Sequence, residues 1–151
     1  MKIAVLYGTE TGNAAMLADD IKSALDGDHD VACADLAAID PAGLDGQDFH
    51  VIVCSTYGDG DVPASAKPFM TKLEALAPKL SHVRFAIFGL GDSEYAETFA
   101  HGSMKLAEAL VAREAVQVGT RLTHNATADE LPEDIALPWI RAILADLEDA
   151  V

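Results

Sequence analysis

Hydroxyl and amide side chains follow the first apolar run of the chain. Residues 2–7 are largely apolar, and after Gly8 come Thr9, Glu10, Thr11, Gly12, Asn13 and Ala14, which lead into a helical pattern. The N–H groups at a helix N-terminus, with the positive end of its dipole, suit an anion. The segment has no lysine and is not a Walker P-loop, which favours a monophosphate held by neutral donors. For this segment alone, a helix capped by Thr11 is the simpler interpretation.

Two further segments each carry a tyrosine among glycines. One follows residues 49–54 and contains Ser55, Thr56, Tyr57 and Gly58, and the other follows residues 83–88 and contains Leu90, Gly91, Asp92 and Tyr95. Neither matches the dinucleotide fingerprint G-x-G-x-x-G. By itself, the segment with Tyr57 is explained as well by an ordinary turn, and Tyr95 in the other segment is explained as well as an ordinary packed residue. Together with the first segment they are typical of a site for a flat phosphorylated aromatic molecule, with its ring between Tyr57 and Tyr95.

Alternating strands and helices must position these three loops. Apolar runs predict strands at residues 2–7, 29–34, 49–54, 83–88 and 115–122. Helical spacing predicts helices at residues 14–25, from about 65 to 76, at 102–112 and over the C-terminal segment. This alternation predicts a three-layer α/β domain with a parallel sheet covered on both faces. Ligands of such domains bind at the carboxyl ends of the strands.

The helical patterns also predict which side chains face the sheet. They are Ala14, Leu17, Ala18, Ile21 and Leu25 in the first helix, Phe69, Leu73 and Leu76 in the second, Leu106 and Leu110 in the third, and Ile135, Trp139, Ile143 and Leu147 in the last. Pro68 falls in the first turn of the second helix, where it is tolerated. Pro138 lies inside the last pattern, so we expect a kink or a short break there.

Composition excludes several classes of protein. The formal net charge of the 151 residues is −15, which disfavours nucleic acid as a partner. Cys33 and Cys54 have no partner spacing typical of a disulfide framework or a zinc site. No apolar run approaches the ~18 residues needed to span a membrane, and the start of the chain lacks a signal-peptide pattern. We therefore expect a single cytoplasmic domain over residues 1–151.

The three loops resemble the FMN-binding loops of the flavodoxin family. The motifs that carry the resemblance are Thr9-x-Thr11-Gly12-Asn13, Ser55-Thr56-Tyr57-Gly58 and Gly91-Asp92-Ser93-x-Tyr95. The likeness extends to the FMN domains of sulfite reductase and cytochrome P450 reductase and to small MioC-type proteins. It implies a flavodoxin-like sheet in the order 2-1-3-4-5, of the short-chain type. It also implies that residues 9–14 hold the FMN phosphate, while residues 55–58 and 90–99, including Phe99, enclose the ring, with Tyr95 stacked on it.

This resemblance implies a redox carrier rather than a catalyst with its own substrate. The implied partners are an NADPH-dependent reductase as electron donor and an acceptor enzyme. Acidic residues crowd the predicted cofactor end and favour a basic docking face on those partners; they are Asp59, Asp61, Asp92, Glu94 and Glu97. Two alternatives stay open: an FMN domain cut from a larger diflavin reductase, and a flavodoxin-like interaction module that binds FMN weakly. A phospho-receiver domain is disfavoured because the ends of the first and third predicted strands lack its acidic residues.

Overall fold

The computed structural model describes residues 1–9, 12–44, 47–56, 62–91, 101–125 and 130–149, with side chains described up to residue 147 in the last range. Its strands are β1 (Lys2–Gly8), β2 (Asp30–Asp35), β3 (Phe49–Cys54), β4 (Arg84–Gly91), β5 (Val116–Gln117) and β6 (Leu122–Asn125). Its α-helices are α1 (Asn13–Leu25), α2 (Lys67–Leu76), α3 (His101–Ala112) and α4 (Pro132–Asp149). Short 3₁₀ turns cover Leu36–Ala38, Pro41–Gly43 and Ala64–Ala66. The predicted alternation of strands and helices is confirmed.

The strands form a parallel sheet in the order β2-β1-β3-β4-β5. Val5 at the centre of β1 lies opposite Cys33 of β2 and Val51 of β3. Every residue of β3 is buried, which is typical of a parallel strand covered on both faces. The chain therefore starts in the middle of the sheet, adds β2 on one side, and crosses β1 to place β3 and β4 on the other. The expected flavodoxin-like order is confirmed.

The fifth strand differs from the prediction of one continuous strand over residues 115–122. It consists of β5 and β6, which both pair with β4. Four residues, 118–121, separate the two strands, while only Ala86 and Ile87 lie between their partners on β4. Gly119 has a φ of +75°, a left-handed conformation that favours glycine. The extra residues bulge out of the ladder there and end the first half of the strand.

Two apolar layers cover the faces of the sheet. On one face, α1 and α4 pack against a cluster that includes Ile3, Val51 and Phe88. On the other face, α2 and α3 pack against a cluster that includes Ile52 and Phe85. All five predicted inward residues of α1 are buried, as are Phe69, Leu73, Leu106 and Leu110. The prediction for Leu76 is wrong, because this last residue of α2 is 55% exposed.

The prolines affect the two helices in different ways. Pro68 occupies the first turn of α2, as predicted. Pro138 lies inside α4, which runs without interruption from Pro132 to Asp149, so the expected break is absent. The exposed Pro138 removes one N–H donor from the helix, and the buried Ala136, Ile140 and Leu144 hold the segment on the sheet. No helix in the described ranges is long and apolar enough to span a membrane.

Candidate functional site

The carboxyl ends of three adjacent strands carry the three loops that the sequence singled out. Gly8 of β1 lies opposite Cys54 of β3, and Cys54 lies opposite Gly89 of β4. The N–H of Ser55 donates to the Gly8 carbonyl at 3.0 Å, which extends the β1–β3 ladder by one bond beyond the strands. The segments that leave β1, β3 and β4 therefore emerge side by side at one edge of the sheet.

The first loop leads into α1 through a glycine rather than through a capped side chain. Gly12 is the N-cap residue, with a φ of +100° and no side-chain capping hydrogen bond. The first bond of the helix joins the N–H of Met16 to the Gly12 carbonyl at 3.0 Å. The N–H groups of the preceding residues in the first turn thus lack intrahelical partners. The interpretation of a helix capped by Thr11 is wrong.

Thr9 is fixed by a residue that the sequence analysis missed. The N–H of Thr9 donates to Ser65 Oγ at 2.7 Å, and the N–H of Ser65 donates back to the Thr9 carbonyl at 3.2 Å. Thr9 Oγ1 accepts from the N–H of Gly12 at 2.8 Å. A hydroxyl that accepts this bond still has its own proton to donate. Ser65 therefore positions the entry of the first loop from a point fifty-six residues away along the chain.

The second loop begins by fixing the start of α3. Ser55 and Thr56 are half-buried, and Thr56 Oγ1 accepts from the N–H of Gly102 at 3.0 Å. Gly102 lies in the first described turn of α3. The Thr56 hydroxyl thus holds the described start of α3 and, like that of Thr9, still has its own proton to donate. Its assignment to the FMN ring stays a prediction.

The third loop starts later than predicted. Leu90 and Gly91, taken as loop residues, belong to β4, where they lie opposite His124 and Asn125 of β6. His124 is buried, and its Nε2 lies 2.8 Å from the carbonyl oxygen of Glu130. The strand β6, which was not predicted as a separate element, thus pairs with the end of β4, from which the third loop leaves.

The buried Ser103 and the half-buried Arg121 fill the space behind the end of β4. The guanidinium of Arg121 donates to Ser103 Oγ at 2.8 Å. A Cβ on Gly89 would lie 2.1 Å from that Oγ and 2.9 Å from the Cβ of Ser103, so only glycine fits this position. Burial lowers the pKa of Arg121 and the Glu108 carboxylate raises it, but an arginine keeps its charge near neutral pH. A positive charge therefore lies beside the carboxyl half of β4.

The cysteine beside the second loop is chemically inert. Burial raises the pKa of the Cys54 thiol to about 12, and the thiol donates to the Ser55 carbonyl at 3.3 Å. A protonated thiol is a poor nucleophile and a poor metal ligand. Both Cys33 and Cys54 are free thiols. Within the described ranges no group of His, Cys, Asp and Glu could hold a metal ion.

Several predicted site residues lie outside the described residues. They are Glu10, Thr11, Tyr57, Gly58, Asp92, Tyr95 and Phe99. The five acidic residues expected to crowd the cofactor end, from Asp59 to Glu97, also lie there. The structure does bring Thr9, Gly12, Ser55 and Leu90 to the same edge of the sheet, with Asn13, Ala14, Thr56 and Gly91 beside them.

A model of a known protein family matches most of the chain. The family is described as Flavodoxin, and the match covers residues 5–139. The chain belongs to the flavodoxin family. The expectation drawn from the three loops is therefore confirmed at the level of the family, with FMN as the cofactor.

Curated relatives of this flavodoxin-family chain include free-standing proteins and parts of larger ones. The MioC homolog of Haemophilus influenzae is 27% identical over 98% of this chain and 100% of its own. Protein MioC of Escherichia coli K12 is 38% identical over 90 residues, and this match spans only 60% of either chain. The NADPH-dependent diflavin oxidoreductase 1 of Aspergillus fumigatus is 33% identical over 96% of this chain but only 24% of its own length.

Solved flavodoxin structures have the same fold. A cysteine-to-alanine mutant of the Pseudomonas aeruginosa flavodoxin matches with a TM-score of 0.86 and 27% identity, over 98% of this chain and 99% of that one. Flavodoxin 2 of Bacillus cereus matches with a TM-score of 0.83 and 31% identity, over 97% of this chain and 99% of that one.

Proposed function

We propose that this chain is an FMN-dependent electron carrier that accepts electrons from an NADPH-dependent reductase and passes them to an acceptor enzyme. One observation carries the proposal: the segments predicted to hold a phosphate and an aromatic ring leave the adjacent strands β1, β3 and β4 at one edge of the sheet. Bound FMN supplies the redox centre. The protein binds it, orients it and limits its exposure to water.

The described residues at the start of α1 fit a phosphate group. A Cβ on Gly12 would have no atom of the described residues within 4 Å, so the N-cap position faces open space in that part of the structure. The first-turn N–H groups of Asn13 and Ala14 and the hydroxyl proton of Thr9 are donors at that place. The positive end of the α1 dipole favours an anion there. We assign residues 9–14 to the phosphate, with Glu10, Thr11, Asn13 and Ala14 among them.

The ring of FMN is assigned to the other two loops. In this proposal residues 55–58 and 90–99 enclose it, with Tyr57 and Tyr95 on its two faces. Ser55 and Leu90, which lie at the ends of adjacent strands, define the floor of that space.

The partners are proposed from charge. The net charge of −15 and the acidic start of α4, with Glu133 and Asp134 in its first turn, favour a basic docking face on the reductase and on the acceptor. Diflavin oxidoreductases among the relatives support redox partners of this general kind. The cytoplasmic location stays a prediction.

A reductase assay tests this function. The purified protein is reconstituted with FMN, and its reduction by a purified NADPH-dependent reductase is followed by stopped-flow absorbance. We expect rapid reduction whose rate falls as added salt shortens the Debye length from ~30 Å to ~8 Å. A module that binds FMN weakly and acts only through protein contacts would lose the flavin on gel filtration and would show no reduction.

The match to the diflavin oxidoreductase favours one alternative, in which this chain is the FMN domain of a longer reductase. The mass of the native polypeptide in cell extract separates the two cases. A free-standing carrier has a mass near 15.9 kDa, whereas a diflavin reductase is several times larger.

A further inference from the structure

The peptide unit between Gly8 and Thr9 is hydrogen-bonded on both of its sides. It lies at the end of β1, where the first loop begins. Its carbonyl, on Gly8, accepts from the N–H of Ser55 at 3.0 Å, and its N–H, on Thr9, donates to Ser65 Oγ at 2.7 Å. The C=O and the N–H of a planar trans peptide point in opposite directions. The two bonds together therefore fix the orientation of this plane.

The residues that make these bonds lie on either side of the second loop. Ser55 directly follows β3, and Ser65 lies in the 3₁₀ turn Ala64–Ala66 that precedes α2. Ser65 also makes a second bond, because its own N–H donates to the Thr9 carbonyl at 3.2 Å. The chain thus leaves the sheet at Ser55 and returns at Ser65 to the residue from which the first loop departs. One peptide unit anchors both the loop assigned to the phosphate and the loop assigned to the ring.

Close packing against Gly8 holds the turn that carries Ser65. A Cβ on Gly8 would lie 2.9 Å from the Cβ of Ala66 and 3.4 Å from Cγ of Pro63. Ala66 and Pro63 are both buried. The turn approaches β1 this closely because position 8 has no side chain, and a larger residue would push it away. The Ser65 hydroxyl is therefore held in place by packed backbone on both sides of it.

The bond from Ser65 to Thr9 continues into the start of α1. Thr9 Oγ1 accepts from the N–H of Gly12 at 2.8 Å, and the Gly12 carbonyl accepts from the N–H of Met16 at 3.0 Å. Ser65 is the first member of this series of bonds, and the donors assigned to the phosphate lie at its far end. Donors that are held in place before a ligand arrives cost less ordering when it binds.

We infer that Ser65 is a positioning residue that determines the preference of this protein for FMN over riboflavin, although it lies outside the residues 9–14 assigned to the phosphate. The inference rests on the proposed function. Without Ser65 Oγ, the peptide unit between Gly8 and Thr9 loses the bond on its N–H side and can turn. The phosphate donors must then be ordered when FMN binds. Riboflavin has no phosphate, so its affinity depends little on that ordering.

Calorimetric titration of the apoprotein with FMN and with riboflavin tests the inference. In Ser65→Ala we expect the affinity for FMN to fall about fivefold and the affinity for riboflavin to change less than about twofold. Ser65→Thr keeps the hydroxyl acceptor and should keep the affinity ratio of the parent. Ser81→Ala is the matched control, because it removes an exposed hydroxyl from the turn before β4, and its ratio should equal that of the parent.

A second variant disturbs the same contact while Ser65 stays in place. Gly8→Ala adds a Cβ that pushes the turn with Ala66 away from β1, so the bond from Thr9 to Ser65 lengthens or breaks. The ratio of FMN affinity to riboflavin affinity should fall in this variant too. Urea denaturation of each variant shows that folded proteins are being compared.

The outcomes distinguish this inference from the proposed function. If the parent binds FMN and riboflavin equally, the phosphate assignment is wrong and the inference about Ser65 is overturned with it. If the parent prefers FMN and Ser65→Ala keeps the same preference, the phosphate assignment stands and the inference about Ser65 is wrong. An equal loss of affinity for both flavins in Ser65→Ala also overturns it, because a general structural role would have that effect.

Discussion

Two helices begin at the same edge of the sheet, and their first turns are built in opposite ways. At the start of α1, Gly12 has no side chain to cap the helix, and a Cβ there would meet no atom of the described residues within 4 Å. At the first described turn of α3, Thr56 accepts from the N–H of Gly102, and Ser103 and Arg121 fill the space against Gly89. One turn is open and the other is occupied by protein.

The difference decides which helix is available to an anion. A helix N-terminus carries a positive partial charge, but the N–H of Gly102, in the first described turn of α3, already donates to Thr56. Only α1 combines unpaired N–H groups with open space in the described part of this edge. The two glycines differ in the same way. Position 12 needs a glycine because its φ is +100°, whereas position 89 needs one because a Cβ there would lie too close to Ser103.

The largest expected effect comes from crowding the α3 side. Gly89→Ala places a Cβ 2.1 Å from Ser103 Oγ, so either the Ser103–Arg121 pair or α3 must shift. We expect the free energy of unfolding to fall by about 3 kcal/mol, at the upper end of what overpacking costs, as measured by urea denaturation.

The matched control is a glycine with open space. Gly27→Ala adds the same methyl group where no atom lies within 4 Å, and its effect should stay within about 1 kcal/mol. Ser103→Ala in the Gly89→Ala background should recover part of the loss by removing the hydroxyl. Equal stability of Gly89→Ala and the parent would contradict the close packing described for α3.

A smaller effect is expected on the open side. Gly12→Ala forces an L-residue into a left-handed conformation, at a cost of about 1–2 kcal/mol. Because the change alters the phosphate loop but meets no steric neighbour among the described residues, we expect it to weaken FMN binding about tenfold in a fluorescence titration. Gly12→Asn should recover part of the affinity, since asparagine tolerates positive φ. If Gly12→Ala binds FMN as tightly as the parent, Gly12 does not belong to the phosphate site.

The smallest effect concerns the cap on α3. Thr56→Val removes the acceptor of the Gly102 N–H and should lower the free energy of unfolding by about 1 kcal/mol. Thr56→Ser keeps the hydroxyl and should stay near the parent in the same urea measurement. If Thr56→Val is as stable as the parent, water can replace the hydroxyl as the partner of the Gly102 N–H, and this turn of α3 is open to solvent.

The sequence predicted the sheet well because its signals are local. Buried strands such as Phe49–Cys54 are continuous apolar runs, and the inward residues of α1 repeat at helical spacing. Leu76 fits the same pattern but lies at the end of α2, next to the left-handed Ala77, where the helix leaves the core. The break between β5 and β6 was missed because a single glycine in a β-rich stretch does not reveal its φ.

The sequence predicted the loops of the candidate site but not the side chains that hold these loops in place. The motifs around Thr9 and Ser55 are contiguous and could be recognised. The hydrogen bonds from Thr9 to Ser65 and from Arg121 to Ser103 join segments that are distant along the chain, so no local sequence pattern predicts them. The choice between Thr11 and Gly12 as the cap also depends on the fold, because threonine and glycine both occur at that position.

The most direct test of the account compares two flavins that differ only in the phosphate. Apoprotein is titrated with FMN and with riboflavin by isothermal titration calorimetry, in the parent and in Gly12→Ala. Two charge-assisted hydrogen bonds at the start of α1, worth at least about 1.5 kcal/mol each, predict that FMN binds roughly 100-fold tighter or more than riboflavin. The ratio of FMN affinity to riboflavin affinity should be smaller in Gly12→Ala than in the parent. Equal affinity of the parent protein for the two flavins would contradict the assignment of the phosphate to α1.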